Sequence, residues 1–150
     1  MSRLRVEKTP LRVRLYLADG TRAEGELFVA PMSPAGAGPQ PVWQLLEEAG
    51  PVVPFRDAQG RFCLVGTRQV AAVETLEAAS DPLPPPPWVR AVPVEVRLAG
   101  GHELVGDLLL EVEGRPVDAL RTPGEWVFVR RLSGGAWVRK ALLVVLRLER

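Results

Sequence analysis

Hydrolytic or metal chemistry in this chain would have to be built from His102, Cys63 and the serines Ser2, Ser33, Ser80 and Ser133. A Ser-His-acid relay needs the imidazole held between a serine and a buried acid. Here every serine falls in a tail, loop or turn, and no Gly-x-Ser-x-Gly elbow is present. A tetrahedral metal site needs several Cys or His ligands, and one of each falls short. His102 follows a Gly-Gly pair and reads as a surface turn residue. Cys63 lies in an apolar run and reads as an inert core thiol. The carboxylates Glu24, Glu26, Glu47 and Glu48 read as solvated faces. The glycines of 31–41 lack the lysine and hydroxyl residue that a phosphate-binding loop requires. The expectation is a protein that is not an enzyme, with no cofactor and no metal.

Binding chemistry is better represented. Arg12, Arg14, Tyr16 and Arg22 share the outer face of one expected hairpin, and Trp126, Arg130, Arg131, Trp137, Arg139 and Lys140 form a second basic and aromatic group. Rings interleaved with cations are what single-stranded nucleic acid uses, by stacking and phosphate contact. The plainer reading puts the tryptophans in the core and leaves the arginines to keep strand edges soluble. Arg-Arg-Leu-Ser-Gly-Gly at 130–135 holds part of the signature of PilZ-type cyclic-dinucleotide readers, but not the full pattern.

Composition narrows the class. The chain has 150 residues, 47% of them hydrophobic, and a formal net charge of +1. That suits one medium domain or two small ones, and it excludes global disorder and a strongly basic nucleic-acid binder. A single cysteine excludes an intrachain disulfide framework. Met1 to Lys8 carries no apolar signal core, and no apolar run has the length of a membrane span. A soluble cytoplasmic protein is expected.

The elements that would position these residues centre on one stretch. Leu11, Val13, Leu15 and Leu17 alternate with polar residues, Asp19-Gly20 supplies a turn, and Ala23, Gly25, Leu27 and Val29 return. Period-two alternation around such a dipeptide reads as a β-hairpin. The pattern recurs at a constant offset: Val13 as Val94, Leu17 as Leu98, Gly20 as Gly101, Gly25 as Gly106 and Leu27 as Leu108. A glycine within the return strand of both copies marks a bulge, a bend or a close backbone approach. Later, Gly50 recurs as Gly124, Val53 as Val127, Arg56 as Arg130 and Gly60 as Gly134, at a shorter offset. The difference is absorbed by the loop after the hairpin.

Residues 1–9 read as a loose lead-in or an edge strand. Pro31 to Pro41 reads as a mobile surface loop, Val42 to Ala49 as a short helix, and 52–56, 62–65 and 70–76 as strands. Glu77 to Pro87 contains four consecutive prolines and reads as a semi-rigid spacer, with a proline-rich ligand as the alternative. The second half repeats the order: a reduced helix at 116–121, then strands at 125–132, 136–139 and 142–148. The expected fold class is therefore mainly β: two related small β-barrels, each strand, strand, short helix and three strands, made by internal duplication. Residues 1–76 form the first unit, 77–87 a linker and 88–150 the second unit.

An opening hairpin with a glycine-bent second strand, followed by three short strands, resembles the SH3-like and Sm-like small barrels. Leu45-Leu46-Glu47, Val53-Pro54-Phe55 and Gly66-Thr67-Arg68 also resemble the pattern of an uncharacterised bacterial domain family, which brings no activity to transfer. The functional expectation is a non-catalytic protein-protein interaction or scaffold module. RNA or single-stranded DNA binding through the basic and aromatic faces is the alternative.

Overall fold

In the computed structural model, the structure describes residues 8–31, 40–76, 86–131 and 134–148. The expected loop at 31–41 and spacer at 77–87 fall largely outside them, as does the lead-in before Lys8.

Alternating apolar residues produce ten strands and two short helices. In chain order they are β1 (Thr9–Leu17), β2 (Arg22–Val29), α1 (Val42–Glu48), β3 (Val52–Asp57), β4 (Phe62–Gly66), β5 (Val70–Thr75), β6 (Val89–Leu98), β7 (Glu103–Glu111), α2 (Pro116–Arg121), β8 (Trp126–Arg131), β9 (Gly134–Arg139) and β10 (Leu143–Leu148). A single 3-10 turn precedes β5 and another precedes β10. All ten strands form one open antiparallel sheet, in the order β10-β6-β7-β8-β9-β5-β1-β2-β3-β4. Among the described residues no ladder closes either half on itself, so β4 and β10 are edges.

The register repeats between the halves. Val13 faces Gly25, and Val94 faces Gly106. Arg14 faces Glu74, and Glu95 faces Arg147. Glu26 faces Arg56, and Asp107 faces Arg130. Even the irregularity recurs, at Tyr16/Leu17 against β5 and at Leu143/Val145 against β6. One expected match shifts. Arg56 faces Phe62 whereas Arg130 faces Gly135, so Gly134 stands one place beyond the position of Gly60. The second turn is a residue shorter.

Gly25 and Gly106 mark close backbone approaches. A Cβ on Gly25 would strike the Arg56 carbonyl and the Phe55 ring. One on Gly106 would strike the Arg130 carbonyl and lie 2.6 Å from Val129 Cγ1. Only glycine lets β2 and β7 run this near to β3 and β8.

α1 follows Pro41, which is extended at φ −61°, ψ 143°, and it buries Val42, Leu45 and Leu46. Seven residues are too few for a stable isolated helix, so burial of that face holds it. Gln40, missed from sequence, fixes its entry. Its side-chain oxygen accepts from the Ala30 amide at 3.2 Å, and its Nε2 donates to Glu48 at 2.8 Å.

Two apolar cores result, and each borrows from the other half of the chain. Leu15, Leu27, Phe55 and Val73 centre the first, which also takes in Trp126 and the flank of Trp137. Val96, Leu98, Leu104 and Val138 centre the second, which also takes in Tyr16, Ala71 and Ala72. β5 is therefore covered on both faces, although a strand of an antiparallel sheet can leave one face to solvent.

Candidate interaction surface

The join between the halves is a ladder of β5 against β9, with Ala72 facing Val138, Val73 facing Trp137 and Glu74 facing Ala136. Most of the basic and aromatic residues singled out in the sequence sit along it.

Tyr16 does not face solvent as expected; it is 3% exposed. Its side of the hairpin is covered by the second half. Its hydroxyl donates to Glu74 at 2.7 Å, and its ring meets His102 edge-on at 5.3 Å. Burial first, then the bond to Glu74, push the phenol above its ordinary pKa. Glu74, 5% exposed, also takes Arg14 at 3.3 Å and Arg131 at 3.1 Å. A buried carboxylate is tolerable with such partners. Arg14 also pairs with Glu24, which holds the Glu24 carboxyl below its usual range. Arg12 and Arg22 are exposed, and among the described residues they make no ion pair.

The second group is equally engaged. Arg139, 8% exposed, donates to Val70 O at 2.9 Å, to Thr67 O at 2.8 Å and to Glu125 at 2.8 Å. Its guanidinium lies 4.4 Å from the Trp126 ring centroid, a cation–π contact shielded from water. Arg130 pairs with Asp107 at 3.2 Å, and Lys140 donates to Thr122 O at 2.7 Å. Trp137 is half-buried, 5.0 Å from Phe128 and 6.1 Å from Trp43. Neither group presents an open aromatic face. The tryptophans follow the plainer reading; Arg139 departs from it, being buried in the join.

His102 is not a plain surface turn residue. Its Nε2 lies 2.8 Å from Leu17 O, so the hairpin tips touch. Gly100, at φ 90°, sits against the carbonyls of Leu17 and Ala18, where a Cβ would come 2.7 Å from the former. Cys63, expected in the core, is exposed. Its strand, β4, is an edge, so its apolar run is not enclosed.

Open apolar surface lies at both ends of the sheet, and also at Trp88, Val105 and Val112. Phe62 and Leu64 on β4 are each 67% exposed, and Val144 and Leu148 on β10 exceed half. Beside β4 is an apolar cleft of about 590 Å³, lined by Phe28, Leu45, Val53, Pro54 and Phe62. Phe62 stacks on Phe28 at 5.8 Å, with Arg56 over both rings. The open edges of β4 and β10 are what the sequence reading missed. Their signal was an apolar run with no stated partner. Among the described residues no helix is long and apolar enough to cross a membrane. Compared with protein-family models, curated proteins and solved structures, the chain matches none.

Proposed function

We propose that the protein is a non-catalytic interaction or scaffold module, built from two copies of one small β-barrel unit. The SH3-like and Sm-like resemblance belongs to this reading. Residues 8–76 and 86–148 then carry one strand order twice, β5-β1-β2-β3-β4 and β10-β6-β7-β8-β9, in matching registers. The observation that carries the function is the pair of edges left unpaired among the described residues, with Phe62, Leu64, Val144 and Leu148 in solvent. An unpaired strand offers a row of amide and carbonyl groups, and apolar side chains on it add burial when another strand is laid alongside. Nucleic-acid binding is less favoured, because Arg130, Arg131, Arg139 and Lys140 are spent on internal partners and Trp126 is buried.

The test places a photo-crosslinking phenylalanine analogue at Phe62 in the native cell. Adducts that a protease removes and a nuclease does not support the reading. Nuclease-sensitive adducts, or none, sink it.

A further inference from the structure

The join between β5 and β9 uses two strands whose counterparts both lie at the ends of the sheet. β10 pairs with β6 as β5 pairs with β1, and β4 pairs with β3 as β9 pairs with β8. Carried onto the matching positions, the internal ladder becomes Val145 opposite Val65, Leu146 opposite Leu64 and Arg147 opposite Cys63. We infer that a second copy of this chain docks there, with β10 of one molecule antiparallel to β4 of the next in that register. This rests on the scaffold reading above.

Charge supports a copy as the occupant. Inside the molecule Glu74 lies between Arg14 and Arg131. At the matching positions stand Arg147, Glu95 and Asp57, so every sign is inverted. Half of that set is already formed, with Arg147 Nη1 at 3.7 Å from Glu95. The missing half is an acid from a neighbouring β3, and Asp57 holds that place. Its carboxyl now takes the Gln59 and Arg61 amides and the exposed Arg61 side chain, and it sits below the usual range through those bonds. The inverted triad is complementary only across a head-to-tail contact.

Apolar surface matches in the same way. Trp137 packs on Trp43 inside the join. Counting from Gly50 and Gly124, Trp43 corresponds to Val117, which is 38% exposed, and Leu64 is 67% exposed. A copy would cover both. Two internal reinforcements are absent from the outer contact: Gly66 stands where Arg139 clamps the join, and Leu64 where Trp137 stacks. The internal halves also share a tether, which raises their effective concentration. The intermolecular contact is therefore the weaker, concentration-dependent version. Being heterologous, it closes into a ring or continues as a filament.

The test uses the full chain with two edge variants, Leu64→Lys on β4 and Val145→Lys on β10. Both side chains are partly or largely in solvent, so the fold is spared, while a lysine inside a strand-strand contact blocks it. Sedimentation velocity across a concentration series should show the unaltered protein associating. Each variant alone should lose association at least tenfold, and their mixture should form a dimer and stop. A second variant reads the register. Arg147→Cys should form reversible disulfide-linked multimers with Cys63, whereas Val144→Cys, three residues or about 10 Å back along the strand, should not. An unaltered protein that stays monomeric at every concentration overturns the inference. So does a single variant that still associates alone, a mixture that forms no dimer, or equal cross-linking by Val144→Cys. Protease-sensitive adducts from Phe62 to a different protein would overturn self-docking and leave the scaffold reading standing.

Discussion

Arg139 Nε donates to the carbonyl oxygen of Val70 at 2.9 Å, joining residues 69 apart in the chain. The same guanidinium reaches Thr67 O and Glu125 and covers Trp126. Its planar fork serves two carbonyls at once, of which Thr67 O also accepts the Val70 amide. Arg139→Ala should cost about 1.5–3 kcal/mol, the range for hydrogen bonds made by a charged group. Arg139→Lys should recover less than half, because a point charge lacks the fork. Urea denaturation of both variants checks this; a loss within error of zero would show that the join does not depend on Arg139.

Gly25 and Gly106 should fail alike. A methyl group at either meets backbone carbonyl and a packed side chain, so β2 must move off β3, or β7 off β8. Gly25→Ala and Gly106→Ala should each destabilise by about 1–3 kcal/mol or more, the range for overpacking. Gly60→Ala is a useful contrast, because it has open space but a strained φ of 82°. Its cost should be the smaller. Thermal melts of the three variants would decide, and a harmless Gly106→Ala would contradict the close approach.

How far the sequence was legible is clearest in β5 and β10. Val70-Ala-Ala-Val-Glu-Thr and Leu143-Val-Val-Leu-Arg-Leu are both strand-length and mostly apolar. Periodicity placed each strand within a residue or two, and alternation in β1 and β2 placed the hairpin. Nothing local says that β5 is covered on both faces while β10 is an edge, since that depends on which strand a distant segment pairs with. The buried state of Tyr16 and Arg139 was hidden for the same reason. Tyr16 was expected on the outer face of the hairpin, and that face is the inward face of the join. Glu74 was a missed signal, as an acid in an apolar strand that needs partners.

Tyr16 makes the join readable by pH. It is the only tyrosine, so tyrosinate absorbance reports it alone. Its folded pKa is raised above the unfolded value near 10.0, by burial and by the bond to Glu74. Its contribution to stability is therefore complete below the unfolded pKa and lost as pH rises through the folded one. The native midpoint should lie above 10.0 and fall back to it in denaturant. Tyr16→Phe should lose about 1 kcal/mol at neutral pH through the missing hydrogen bond and decline less steeply in alkali. A native midpoint at or below the ordinary value would contradict the buried bond.

His102 tests the contact between hairpin tips. With Nε2 as the donor, it satisfies Leu17 O and packs on Tyr16. His102→Ala should cost about 1 kcal/mol, the typical worth of one such bond. The interaction properties of β4 and β10 should be unchanged, because neither edge touches it. If His102→Ala abolished function with stability intact, the residue would be doing chemistry and the non-catalytic reading would fall.

The last prediction separates protein docking from nucleic-acid binding. Exchanging Arg130, Arg131, Arg139 and Lys140 for Gln would be a poor test, because Arg139 is buried and its loss weakens the fold. Arg12 and Arg22 are the members of the two groups that are exposed and make no ion pair among the described residues, so Arg12→Gln/Arg22→Gln is the clean variant. Phosphate contacts release counterions, so log affinity falls with log salt at about 0.9 per duplex phosphate and about 0.7 on single strands. Two arginines would thus give a slope of at most roughly 1.4 on single-stranded RNA. Docking on an apolar edge is far less screened. Fluorescence anisotropy with labelled RNA and single-stranded DNA, at roughly 50 and 200 mM salt, reads the difference. Only weak binding is expected, changing little in the variant. Tight binding that collapses both in the variant and at the higher salt would reverse the order of the two functional readings.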